Sequence, residues 1–237
     1  QILGNSTEHF IWAARELKAM GYKEVNFNLG CPSGTVTAKG KGSGMLRDLD
    51  GLDRFFDAIF THAPLPISVK TRLGVDDDEN FPKLMEIFNR YPIHELTIHP
   101  RTRKQFYSGG LAMEEFEYAV QNSTNPLCFN GDILSKTDIS ELSNQYPSID
   151  AVMIGRGLIA SPGMLTPDGT TPEKLQKFMD ELLDEYTLAF GGSRNAMFRL
   201  KENWGFLHSR FEGCDKLWKR LRKSTDPVEF KAITDEI

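Results

Sequence analysis

Short apolar segments alternate with amphipathic ones along the first two thirds of the chain, and each short segment ends on a polar or glycine residue. Residues 24–28 (EVNFN), residues 66–72 (PISVKTR) and the segments ELTIHPR, PLCFNGD and AVMIGR are rich in β-branched and aromatic residues, as strands are. Between them Phe10, Ile11, Ala13, Ala14 and Leu17 recur near helical spacing. So do Leu52, Phe55, Phe56 and Ile59, and then Phe81, Leu84, Met85 and Phe88. Residues 113–121 and 135–146 read as two more helices. Asn5, with Glu8 three residues on, reads as the N-cap of the first helix, and Gly21 as its stop. No hairpin signal interrupts this order. Strands separated by helices run parallel, because the crossover returns the chain to the edge it left.

The strand ends carry Gln1, then Asn28 and Cys31, Lys70 and Arg72, His99 and Arg101, Asn130 and Asp132, and Gly155 and Arg156. A (β/α)8 barrel builds its site at that end of the strands, and so does a doubly wound sheet, so the pattern alone leaves both open. Residues 161–172 (SPGMLTPDGTTP) hold three prolines and two glycines, and the alternation stops there. Residues 172–189, 194–209, 213–223 and 226–236 read as helices of a small all-helical domain, with Trp204, Phe206, Leu207 and Trp218 as its core rather than as stacking platforms. Two domains are expected, 1–165 and 170–237.

The chain of 237 residues carries a net charge of −5, so the total does not advertise nucleic-acid binding. The distribution does. Arg194, Arg199, Lys201, Arg210, Lys216, Lys219, Arg220, Arg222 and Lys223 crowd one stretch, while Asp76, Asp77, Asp78 and Glu79 cluster elsewhere. Cys31, Cys128 and Cys214 are odd in number and far apart, which fits free thiols in a reducing compartment and a cytoplasmic location. No run approaches the eighteen apolar residues of a membrane span. The chain opens on QILG, which reads as a strand end entering a helix, so its natural N-terminus is expected to lie upstream.

Cys31 follows Gly30 and precedes Pro32, which keeps it out of the helical region and aims its thiol off the end of a strand. Gly34, Gly40, Gly42 and Gly44, with Lys39 and Lys41, suggest a flexible basic loop behind it. A small buried cysteine is the plain alternative. Lys70 ends an apolar strand and needs a partner, either an anionic ligand or an ion pair. Arg101, Arg103, Lys104 and Tyr107 share one loop that suits a nucleotide, cations for phosphate and a ring for the base, or is simply solvated. NGD (residues 130–132) and IGRG (residues 154–157) suit a phosphate or mark tight turns.

Asn28, Gly30, Cys31, Pro32, Val36, Gly40, Gly42 and Leu46 together resemble the catalytic segment of the tRNA-dihydrouridine synthase family. QILG, NFNLGCP, VKTRLG, HPRTRKQFYSG, NGDI and MIGRG occur in the order seen in that family. The resemblance implies a (β/α)8 TIM barrel followed by a helical tRNA-binding domain. Two N-terminal strands of the barrel would be missing here and QILG would be the tip of the third. It implies FMN, with NADPH as reductant, and reduction of specific tRNA uridines to 5,6-dihydrouridine. The hydride goes from the reduced flavin to C6 and the proton from Cys31 to C5. Gln1, Lys70, His99, Asn130, Gly131, Asp132, Gly155 and Arg156 are the implied FMN ligands. Asn28 and Tyr107 are the implied uracil contacts, and Arg72, Arg101 and Arg103 complete the expected substrate set. No metal and no obligatory protein partner are expected. The competing readings are an FMN barrel oxidoreductase of a small molecule and a tRNA-binding protein without catalysis.

Overall fold

A computed structural model describes residues 1–237. They form two compact units, one of Gln1–Gly131 with Leu142–Met153, the other of Asp132–Glu141 with Ile154–Ile237.

The first unit is built on a five-stranded parallel sheet. Its strands are β1 (Val25–Asn28), β2 (Ile67–Arg72), β3 (Leu96–His99), β4 (Leu127–Asn130) and β5 (Ala151–Met153), paired in sequence order with no reversal. Ile2 lies parallel beside β1 as an isolated bridge to Phe27. Its N–H donates to Asn26 O at 2.8 Å, and its carbonyl accepts from Asn28 N at 2.9 Å. The connections carry α1 (Thr7–Ala19), α2 (Gly34–Thr37), α3 (Leu49–His62), α4 (Phe81–Phe88), α5 (Met113–Asn122) and α6 (Lys136–Gln145). Ser6, not Asn5, caps α1, its Oγ accepting from His9 N at 3.3 Å. Asn5 instead donates to the carbonyls of Lys39 and Gly40.

Strand side chains alternate between faces with a period of two, and here the two faces differ in kind. Val25, Phe27, Ile67, Val69, Leu96, Ile98, Leu127 and Phe129 are all buried on one face. Phe27 meets Phe10 of α1 edge-on at 5.6 Å and Phe55 of α3 at 5.0 Å, while Phe129 meets Phe116 of α5 at 4.8 Å. Fully burying such a ring is worth about 1.5–3 kcal/mol, and aromatic geometry adds about 0.5–1.5 kcal/mol per pair. The helices therefore cover this face. The opposite face is polar, and it carries the residues considered next.

The second unit is helical. It contains α7 (Arg156–Ala160), α8 (Pro172–Ala189), α9 (Ser193–Leu207) running into a 3₁₀ turn (His208–Arg210), α10 (Asp215–Lys223) and α11 (Pro227–Glu236). Thr171 and Asp226 cap α8 and α11, each followed by proline at the first helical position, where no N–H is needed. Leu175, Met179, Met197, Leu200, Trp204, Leu207, Leu221, Phe230 and Ile233 form its core, with Trp218 packed against the edge. Trp204 and Leu207 are thus core residues. No helix is long and apolar enough to cross a membrane.

Candidate functional site

The register sets polar residues side by side on this opposite face of the sheet. Asn26 pairs with Ser68, Asn28 with Lys70, Lys70 with Thr97, Thr97 with Cys128, and Arg72 with His99. Asn130 follows two residues after Cys128, on the same face. The side chains bond along the rows: Gln1 Nε2 donates to Asn26 Oδ1 at 2.6 Å, Asn26 Nδ2 to Ser68 Oγ at 2.9 Å, and Asn28 Nδ2 to Gln1 Oε1 at 2.9 Å. Asn130 Nδ2 donates to Met153 O at 2.8 Å, tying the ends of β4 and β5. Asn26, Ser68, Thr97 and Cys128 belong to this surface although the strands read as apolar runs. The signal was the alternation in VNFN, ISVK, LTIH and LCFN.

Cys31 stands just past β1, half-buried and with a free thiol, and its backbone is held from every side. Asn28 Oδ1 accepts from the N–H groups of Gly30 at 3.2 Å and Cys31 at 3.0 Å. Arg72 Nε donates to Gly30 O at 3.0 Å. Cys31 O accepts from Ser43 Oγ at 2.8 Å and Ser43 N at 3.2 Å. The glycine-rich segment behind it is not an open loop. It folds into α2 and a 3₁₀ helix (Gly42–Arg47) with Gly42, Ser43 and Leu46 buried. Gly42 has φ +54°, and a Cβ there would lie 2.9 Å from the Cys31 Cβ; one at Gly44 would lie 2.8 Å from Thr37 O. These glycines permit contact, not motion.

The loop after β3 lies along the end of β2. Leu73 N donates to Arg101 O, Arg103 N to Gly74 O, and Lys104 N to Val75 O. Arg72 and Arg101, each only 2% exposed, brace it from within. Arg72 Nη1 donates to Thr102 O at 2.8 Å, Arg101 Nη2 to Gly109 O at 2.7 Å, and Arg101 Nη1 lies 3.3 Å from His99 Nε2. Arg103 sits over the Phe106 ring, with its Cζ 5.8 Å from the centroid. Phe106 takes a left-handed φ of 52°, unusual for its type, and the next residue, Tyr107, is about half exposed at 52%. The Tyr107 ring lies 5.4 Å from the Arg72 guanidinium and 6.1 Å from the His99 ring.

Two titrations mark the face. Burial, with Arg72 next, lowers Lys70 to about 8. Burial, with the Glu95 carboxylate next, pushes Cys128 up to about 11. A half-buried cation whose electrostatic neighbours are an arginine and an uncharged thiol suits an electron-rich or anionic ligand. A thiol with a fixed backbone at the strand end suits proton delivery.

In the second unit Asp132, at φ 42°, accepts from Arg156 Nη2 at 2.7 Å. A Cβ on Gly157 would collide with Ile133 O, so that glycine serves close packing on Ile133. In the first unit Gly131 is also a packing glycine, since a Cβ there would lie 2.9 Å from Leu111 Cδ2; in the second the space beside Gly155 is open. Of the basic stretch, Lys201 is committed inward, donating to Ser224 O and to Arg222 O at the end of α10. Arg194, Arg210, Lys216, Lys219, Arg222 and Lys223 are exposed.

The family model described as dihydrouridine synthase (Dus) matches residues 1–214. A probable tRNA-dihydrouridine synthase of Rickettsia bellii is 34% identical over 248 residues, covering 100% of this chain and 75% of the relative. One from Staphylococcus aureus is 35% identical over 245 residues, covering 99% and 73%. One from Rickettsia conorii is 31% identical over 167 residues, covering 70% of this chain and 50% of the relative.

Proposed function

The chain belongs to the dihydrouridine synthase family, and from that premise we propose that it reduces specific uridines of tRNA to 5,6-dihydrouridine, in the cytoplasm, with FMN and NADPH. The family match carries this reading, because residues 1–214 include Cys31 and every other residue assigned to the site. The unreversed strand order and the polar face opposite the helices support an arc of a (β/α)8 barrel, whose interior that face would line. On this reading residues 1–165 are the catalytic domain and residues 170–237 bind tRNA.

FMN fits the residues present. Lys70 offers a cation on a polar face, and His99, Gln1 and Asn130 add hydrogen-bonding groups along it. We assign these four with Gly131 to FMN, and also Asp132, Gly155 and Arg156. When bound and reduced by NADPH, FMN supplies a hydride to uracil C6. The added charge spreads over C5 and O4, so C5 then needs a proton. Cys31 gives it from its thiol, while Asn28 and Arg72 keep the Cys31 turn in place. Tyr107, half exposed over Arg72, contacts the base, which must leave its stack to reach these groups. Arg103 supports that loop, and Arg101 holds it closed from inside.

Single-turnover reoxidation of the reduced flavin by unmodified tRNA tests the assignment. Cys31→Ala is expected to take up hydride from NADPH as wild type does and to reoxidise about 10²- to 10⁴-fold more slowly. Reoxidation at the wild-type rate removes Cys31 from the mechanism. A flavin that reoxidises with small enones but not with tRNA points to the small-molecule oxidoreductase, and a chain without flavin absorbance to a binding protein.

A further inference from the structure

The corner where α8 turns into α9 holds an open cleft of about 360 Å³ lined by Phe190, Asn195, Phe198, Arg199 and Glu202. Its two rings are not core residues. Met197, Leu200, Trp204 and Leu207 form the buried stripe of α9, and Phe198 lies outside that stripe, 45% exposed; Phe190 is 42% exposed. Gly191 and Gly192, at φ 71° and 148°, make the turn, and Asn195 Nδ2 donates to Phe190 O at 3.0 Å across it.

Each ring carries a cation. The Arg199 guanidinium lies 5.6 Å from the Phe190 centroid and Lys201 Nζ 5.1 Å from that of Phe198. Lys201 is anchored on the last carbonyls of α10, so the Phe198 ring stands beside the helix end that bears Arg222 and Lys223. Arg194 precedes Phe198 by one helical turn and shares its side of α9. The single acid in the cleft, Glu202, is 3.6 Å from Arg199. An apolar protein surface would have to bury these cations. An unstacked base uses both features, its flat face on a ring and its phosphates on the flanking cations.

We propose that this cleft takes one unstacked base of the bound RNA, a contact site distinct from the base undergoing reduction. The inference rests on the tRNA reading above. The test is tRNA affinity of the full chain, measured against salt concentration, for wild type, Phe198→Leu and Phe198→Tyr. Leucine keeps the apolar bulk but removes the π face, so the Kd is expected to rise by about five- to a hundredfold. The salt slope stays unchanged, because every cation that neutralises a phosphate is still present, and tyrosine restores wild-type affinity. Equal affinity for Phe198→Leu and wild type overturns the cleft while leaving the tRNA reading intact; a wild-type chain that binds no tRNA overturns both. Zero-length ultraviolet cross-linking of the wild-type chain to tRNA covers the case of a misfolded variant. Adducts on Phe190 or Phe198 support the proposal, and adducts confined elsewhere overturn it. A wild-type dimer that Phe198→Leu converts to monomer would assign the cleft to a second copy instead.

Discussion

Arg72→Lys is the most informative single change, because the arginine joins the turn carrying Cys31 to the loop carrying Tyr107. Its Nε serves Gly30 O and its Nη1 serves Thr102 O, and the side chain is 2% exposed. Lysine keeps the charge but ends in a single donor group, which cannot reach both carbonyls. One buried carbonyl is left unsatisfied, at a cost of about 1–3 kcal/mol. In a chain of this size each kcal/mol shifts Tm by about 2–4 °C, so a fall of about 2–12 °C is expected. Arg72→Met orphans both carbonyls but also relieves the burial of a charge, which already lowers the Arg72 pKa; its loss should be no more than about twice that of lysine. Thermal unfolding gives the stability, and alkylation of the native chain gives the freedom of the Cys31 turn, since Cys128 and Cys214 are buried. Cys31 should be alkylated faster once Gly30 is released. An Arg72→Lys chain with wild-type Tm and wild-type alkylation rate would show that the two carbonyls do not depend on this guanidinium.

The remaining expectations concern other parts of the site. Gly42→Ala puts a Cβ 2.9 Å from Cys31 at a left-handed φ of 54°, so it should lower Tm and slow tRNA-dependent flavin reoxidation; unchanged values of both would refute the packing argument. Lys70 is lowered to about 8, so the unfolded chain holds more protons between that pH and the ordinary lysine value, and stability should rise with pH across the window. Lys70→Met should lose that rise in pH-dependent denaturation, and a variant that keeps it would assign the titration elsewhere. Binding of an anionic ligand by Lys70 should weaken as pH rises through about 8, measured as FMN affinity. Reversing Arg210, Lys219 and Arg222 together should weaken tRNA binding and flatten its salt dependence by about 0.7–0.9 for each phosphate no longer neutralised, with NADPH oxidation unchanged; a wild-type slope would make the stretch a solvated face.

The order of elements was legible because apolar periodicity and caps act locally. Strands ending near Asn28, Arg72, His99 and Asn130, and helices beginning near Pro172 and Pro227, stand where the pattern places them. The Cys31 segment was harder. Gly42 and Gly44 suggest flexibility in a linear reading, yet each packs on an atom earlier in the same segment, the Cys31 Cβ and Thr37 O. Arg72 and Arg101 suggest ligand contacts, since an arginine near a strand end usually faces outward. Their partners are the carbonyls of Gly30, Thr102 and Gly109, which become available only once the loop has crossed the sheet end. Asn28 likewise spends its side-chain oxygen on the turn it precedes.

The division of the sheet explains why two cysteines near the same strand ends are suited to different things. Parallel strands covered by helices on both faces read as continuous apolar runs, but VNFN, ISVK, LTIH and LCFN alternate, so one face is apolar and the other polar, although Ser68, Thr97 and Cys128 on the polar face are buried as well. Cys128 lies within β4 on the polar face, 2% exposed, its thiol pushed up to about 11 by burial and Glu95. It holds its proton but can deliver it to nothing outside the sheet. Cys31 lies three residues beyond β1, past the last backbone bond to β2 at Leu29, where the chain must turn. The turn costs hydrogen bonds that the next strand would have supplied, and Asn28, Arg72 and Ser43 replace them at Gly30 and Cys31. Those replacements are side chains acting on backbone, which leaves the Cys31 thiol itself unburdened. The proton donation proposed for Cys31 needs a fixed position and an open path, and a parallel sheet offers both together where a strand runs out.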